Sequence, residues 1–271
     1  YEAMLTMAET ISSTVDLISG FVIPTESNLV PTHQSFEQIA VANGGQLIDE
    51  LGEVLIVEPA CQEALDVYFT LVHNYSPSGV QTDTSARNAY LADRTGLLKS
   101  SPAILPWLAG LDTAVTPTCT PCSTNPAYLA QNSGVLTQIT GSGSLAQPAN
   151  LGIISYLGIT NKADKEAATA FAHYWFNEAY GDWLAVESER KVPLRWGTSE
   201  QPRQFIDTWG NQPLTTDGPS LRELYGDDVV GQLRDSLLPA NRWGLAEGQG
   251  ELVTILFEDL TISVTLQEML S

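Results

Sequence analysis

The chain has 271 residues, enough for one large or two modest domains, and its 43% hydrophobic content can fill real cores. Twelve basic residues against 32 acidic ones give a net charge of −20. That argues against nucleic acid, whose phosphates need Lys and Arg, and against an anionic membrane surface. The acidic excess is spread along the chain rather than gathered in a tail. A solvated surface of a secreted protein explains it, and adaptation to salt is a sharper reading of the same charge. There is no signal peptide, and no apolar run approaches the roughly 20 residues of a membrane span. Tyr1 already stands inside a helical pattern, so the expectation is a fragment or a product missing its start.

Residues 1–13 read as an amphipathic helix through Leu5, Ala8 and Ile11. Gly20–Ile23 is a short buried strand ending at Pro24. A loop from Thr25 to Gln34 follows, and loops after strands of α/β proteins are favoured places for ligand contacts. Thr32, His33 and Gln34 are therefore candidate ligand-lining residues; the alternative is a solvated connector. Ser35–Asn43 is a helix stopped by Gly44-Gly45, and residues 46–57 read as a hairpin turning at Glu50-Leu51-Gly52. Pro59 suits the first position of the next helix, which buries Ala64, Leu65, Tyr68, Leu71 and Val72. Asp83 or Thr84 caps a helix through Ala92, Thr95–Ser101 is a strand, and Pro102 opens a helix in which Trp107 reads as core.

Residues 112–133 form a loop with a short helix at 125–131 and the spacing Cys119-Thr-Pro-Cys122. Such a pair is a small-loop disulfide, half a zinc site or a redox motif. No second Cys or His pair stands nearby to complete zinc ligation, and a redox motif normally opens a helix rather than sitting among prolines. The disulfide is the favoured reading, and Cys61 on its helix is a buried free thiol. Val135–Ile139 is a strand, and Gly141–Asn150 is a Gly/Ser-rich crossing without the spacing of a phosphate loop.

The stretch around which the chain is organised runs from Ala163 to Gly197. It is preceded by a predicted buried strand at Gly152–Ile159. Asp164 caps an amphipathic helix carrying Ala167, Ala168, Phe171, Trp175 and Phe176. Gly181 breaks the pattern, a second short helix carries Trp183, Leu184 and Val186, and Lys191-Val192-Pro193-Leu194-Arg195 leaves it extended. A short helix near Pro202 runs to Trp209, a loop spans Asn211–Pro219, and Asp227–Leu238 is a helix with Val229, Val230 and Leu233 on its apolar side. Asn241-Arg242-Trp243-Gly244 precedes a last helix from about Gly248 to Leu270.

Two stretches, Gly152–Gly197 and the helix, Gly-Gly, hairpin, helix order of residues 35–74, resemble the bacterial extracellular solute-binding proteins of family 1, the maltose-binding-protein-like type. The resemblance implies an α/β periplasmic-binding-protein type II fold with two lobes and a hinge. The N-terminal part of the first lobe would be missing. Residues 1–148 and 219–271 would build the second lobe, and 149–218 would belong to the first and expose apolar surface. Residues 141–150 and 211–219 would be the hinge crossings.

The resemblance also implies ligand contacts. Where relatives carry an aromatic just after the strand at Thr95–Ser101, this chain has Ala103, which leaves Ser101 and the helix N-terminus as polar donors. An aromatic at the position of Trp243 stacks on the sugar in relatives, with Arg242 beside it as a donor. The alternative for this pair is a buried Trp with an exposed Arg.

The implied function is extracytoplasmic capture of a sugar or oligosaccharide by lobe closure, and delivery to the permease of an ABC importer. No cofactor and no metal are implied. A monomer in the periplasm or outside the cell is expected, lipid-anchored if a leader carries the anchor. His33, His73 and His173 are far apart, and no zinc-protease or nucleophile-elbow motif occurs, so no catalytic residue is assigned. A carbohydrate hydrolase with a carboxylate pair and a non-transport ligand sensor are the alternatives.

Overall fold

The computed structural model describes residues 1–13, 19–27, 30–244, 247–258, 264 and 268–269. Helix α1 (Glu2–Ser12) leads to strand β1 (Ser19–Val22), followed by α2 (Val30–Ala42), α3 (Pro59–Tyr75), α4 (Asp83–Leu91) and strand β2 (Thr95–Leu98). All four residues of β1 are buried. It pairs in parallel with β2, with Ser19 opposite Thr95 and Val22 opposite Leu98. A parallel pair needs a crossover, and α2 to α4 supply it. Helices α1 and α3 pack against β1. The approach of α1 requires Gly20, because a Cβ there would run into the Ala8 carbonyl.

Of the expected face of α3, Ala64, Tyr68 and Leu71 are buried and Leu65 and Val72 partly so; Val67 is buried beside them, and Cys61 is a buried free thiol. The cap of α4 is Thr82 rather than Asp83 or Thr84. Its hydroxyl accepts from the Ser85 N–H at 2.9 Å while Ser85 Oγ accepts from the Thr82 N–H. Beyond β2 the chain makes a 3₁₀ turn (Pro102–Ile104) and α5 (Leu105–Leu108), so the expected strand stops three residues short of Ser101. Next come α6 (Tyr128–Asn132) and the antiparallel pair β3 (Ile139–Thr140) and β4 (Pro148–Ala149). The expected hairpin at 46–57 is one antiparallel bridge, Ile48 with Val54.

The predicted buried strand at Gly152–Ile159 is not formed. After a parallel bridge between Asn150 and Ala240, residues 151–160 have no paired neighbour among the described residues. Residues 153–160 are exposed, Ile153 at 87% and Tyr156 at 86%. The apolar run has the composition of a central strand but no strand to pair with. Helix α7 (Lys165–Tyr174), capped by Asp164, likewise buries no residue, and Phe171 and Tyr174 lie exposed. Apolar exposure is the behaviour expected of this segment. A π-helical turn (Trp175–Ala179) then joins α7 to α8 (Tyr180–Ala185).

The rest of the chain forms a 3₁₀ turn at Ser188–Arg190, α9 (Gln204–Thr208), α10 (Leu221–Asp235) and α11 (Gly250–Glu258). Helix α10 starts six residues before the expected Asp227. Ser220 and Glu223 form a capping box, and Gly226, at φ 77°, kinks the helix one residue before the expected start. Much of the expected final helix lies outside the described residues.

Two large cores result. One joins β1, α2 and α3 with Trp243; the other joins α5, α6 and the Cys119–Cys122 disulfide with Trp209, Leu221, Val230 and Leu233. A small third cluster holds Tyr180, Leu184 and Phe205. No helix among the described residues is long and apolar enough to cross a membrane.

Candidate functional site

Thr32, His33 and Gln34 lie inside α2, not on a loop. Pro31 sits in the first turn of that helix, where a missing N–H costs nothing. Thr32 and His33 are fully buried, and Thr32 Oγ1 donates to the Glu26 carbonyl at 2.7 Å. One helical turn after His33, Glu37 is also buried. Its Oε1 accepts from Arg242 Nε at 2.9 Å and from the Trp243 N–H at 2.8 Å. The Trp243 ring is 4% exposed, meets Phe36 edge-on at 5.8 Å, and donates from Nε1 to the Gly45 carbonyl at 3.0 Å.

Arg242 and Trp243 are therefore a clamp that fastens the returning chain to α2. With its indole packed and its N–H engaged, Trp243 offers no face for a sugar. The structure does bring His33 and the Arg242–Trp243 pair to one place, but that place is the core. Ser101 stands elsewhere, exposed ahead of the 3₁₀ turn, and makes no side-chain cap bond.

Burial first, then Arg242 and Lys99, pushes the His33 imidazole down to about 4. Burial also lowers half-buried Lys99 to about 8, against the pull of Glu37, and raises Glu37 against Arg242 and the Trp243 N–H. A histidine lowered from 6.5 contributes stability that is complete above pH 6.5 and is lost as pH falls toward 4. Over that window the loss is about 3 kcal/mol, at about 1.4 kcal/mol per pH unit. Urea unfolding at several pH values measures it. His33→Gln flattens the slope between pH 4 and 6.5, and an unchanged slope would refute the assignment.

A cleft of about 400 Å³ opens between two runs far apart in sequence, 103–113 and 187–215. Trp107, Asp112, Glu187, Glu189, Arg190 and Thr215 line it. Trp107 packs against the second core, as expected, and also reaches the cleft; Arg87 lies over its ring at 4.9 Å. Asp112 fixes the indole by accepting from Trp107 Nε1 at 3.0 Å. It also accepts from the Ala114 N–H at 2.7 Å and the Val115 N–H at 3.2 Å, and these donors hold its carboxyl below the usual range.

On the opposite wall Glu187 takes the left-handed conformation, φ 50°, and starts the turn that presents Glu189 and Arg190. Trp209 Nε1 donates to the Ser188 carbonyl at 2.8 Å and ties this turn to the second core. Glu187 accepts from Arg190 Nη1 at 3.3 Å. Burial, helped by Glu187, raises the Glu189 carboxyl against a hydrogen bond from its own backbone N–H and the charges of Arg190 and Lys191. Sequence reasoning singled out none of Asp112, Glu187, Glu189 or Arg190. Among the described residues no group of His, Cys, Asp and Glu is placed to hold a metal ion.

No protein-family model matches the chain, and no curated protein matches it in sequence. Solved structures do match. Maltose-bound MalE3 of T. maritima superposes with a TM-score of 0.54 at 15% identity, over 100% of this chain and 64% of that one. An ABC transporter solute-binding protein of Agrobacterium radiobacter K84, in complex with ribitol, does so with 0.50 at 16% identity, over 99% of this chain and 64% of that one. The chain has a solute-binding-protein fold. It spans 64% of the length of both structures. The α/β periplasmic-binding-protein fold expected from the sequence is the fold observed.

Proposed function

We propose that this chain belongs to an extracytoplasmic protein that captures a sugar or oligosaccharide and delivers it to an ABC importer. The observation that carries the reading is the cleft between residues 103–113 and 187–215, with Trp107, three carboxylates and Arg190 on its walls. An aromatic surface suits the C–H face of a sugar ring, and charged groups bind its hydroxyls. On this reading, residues 1–148 and 219–271 form one lobe and 149–218 belong to the other, with Trp209 reaching into the second core beside the cleft. Closure about the crossings at 141–150 and 211–219 traps the solute without covalent chemistry. The protein works as a monomer outside the cytoplasmic membrane, with the importer's permease as partner. The exposed apolar run at 151–160 and the bare face of α7 support assigning 149–218 to a separate lobe whose other elements pack on them.

A hydrolase is the second reading, because two carboxylates of one cleft are pushed in opposite directions, Asp112 down and Glu189 up. Titration of Trp fluorescence with mono- and oligosaccharides, glycerol phosphates and polyamines, followed by recovery of the ligand, separates the two. Capture predicts saturable binding of a carbohydrate at micromolar or tighter Kd and its return unchanged. Cleaved glycan would put the hydrolase first, and silence toward every carbohydrate would overturn the sugar assignment.

A further inference from the structure

We infer that the cleft takes a sugar in its ring form and discriminates against open-chain polyols. The inference rests on the solute-capture reading of this cleft and deepens it to a substrate class. It follows from the difference between the two walls. On one wall Pro106 and Trp107 come three and four residues after Ala103, on the same face of the run, and Leu111 follows them. All four residues are partly exposed. Three of them carry no polar side-chain atom, and the Trp107 N–H is taken by Asp112 at 3.0 Å. The main chain is engaged as well. Pro106 has no N–H, its carbonyl accepts from the Leu111 N–H at 3.0 Å, and the Trp107 carbonyl accepts from the Gly110 N–H at 2.9 Å. Polar lining on this run begins past that surface, at Asp112 and Thr113, and Asp112 already accepts from three N–H groups. The opposite wall offers Glu187, Arg190 and Thr215.

A hydroxyl pressed against the surface of Ala103, Pro106, Trp107 and Leu111 gives up its water and finds no partner, which is costly. A pyranose avoids that cost. Its ring gathers C–H groups into a patch free of hydroxyls that covers an indole, and its edge directs hydroxyls toward the polar wall. An open-chain polyol carries a hydroxyl on every carbon and rotates about every bond. It either brings hydroxyls to the apolar wall or is frozen into the few conformers that avoid it. Trp107 does not turn to meet such a chain. Asp112 holds the indole N–H, and the Arg87 guanidinium, paired with Asp83, lies over the ring at 4.9 Å.

The experiment is calorimetric titration of the protein at pH 7 with the mono- and oligosaccharides of the fluorescence titration, glucose, xylose, maltose and cellobiose among them, and with the open-chain polyols ribitol, xylitol and glucitol. The tightest ring sugar is expected to bind about tenfold more tightly than the tightest polyol, the scale of one polar group buried without a partner. In Trp107→Ala the gap is expected to close to within about threefold, because the loss of an aromatic anchor falls on the ring sugar. The wild-type comparison stands even if the variant misfolds. A polyol bound as tightly as the best ring sugar, or more tightly, overturns the inference and leaves solute capture intact. An undiminished preference in folded Trp107→Ala overturns the role of this wall. Binding of none of these compounds overturns the sugar-capture reading itself.

Discussion

Trp243→Ala is expected to cost the fold about 3–5 kcal/mol, the range for removing a large aromatic from a packed core. The ring is 4% exposed and lies against Phe36, and its Nε1 closes a bond to the Gly45 carbonyl. Truncation opens a cavity at the junction of α2 and the returning chain and leaves that carbonyl without its donor. Urea unfolding followed by far-UV circular dichroism measures the loss without relying on the deleted fluorophore. Trp196→Ala is the control: that ring is 56% exposed, and its removal is expected to cost no more than about 1 kcal/mol. Equal losses for the two variants would mean that Trp243 is not a core residue.

Arg242→Ala comes next, at about 3 kcal/mol, the low end for breaking a buried ion pair because the Arg242 side chain is 19% exposed. Most of that cost is not the lost attraction but the stranded charge of Glu37, which is fully buried. Two consequences follow from this origin. Replacing both partners, as in Glu37→Met with Arg242→Leu, is expected to recover more than half of the loss, since the charge that needed a partner is gone. The gap between wild type and Arg242→Ala is also expected to narrow in acid. The raised Glu37 carboxyl takes up its proton in the folded state, and a protonated Glu37 no longer needs the guanidinium. A double variant no better than Arg242→Ala alone, with a gap constant down to pH 4, would show that the pair stabilises by packing rather than by charge.

The same residues show what could be read from the chain and what could not. Helix α3 was legible because Cys61, Ala64, Tyr68 and Leu71 repeat at helical spacing beside a proline that starts a helix well. The entry to α2 was not, because Pro31-Thr32-His33-Gln34 after a strand reads as a polar loop, and nothing local marks Thr32 and His33 as buried. Arg242 and Trp243 carry the chemistry of a sugar site and of a core clamp equally well. The burial of Glu37 decides between them, and a helical glutamate carries no sign of burial in its sequence.

Residues 152–159 have the composition of a central strand, yet a strand is buried only by its neighbours, and none pairs with it among the described residues. The cleft is assembled from runs about 80 residues apart, so no local motif marks it.

On the proposed function the Trp107 cleft, and not the Arg242–Trp243 pair, receives the solute. The most direct test is the dissociation constant of Trp107→Ala for whichever carbohydrate binds the wild type, measured by calorimetry on folded protein. Binding is expected to weaken about thirtyfold, about 2 kcal/mol, the scale of an aromatic anchor at a binding site. An affinity within about twofold of wild type would contradict it and move the binding site out of this cleft.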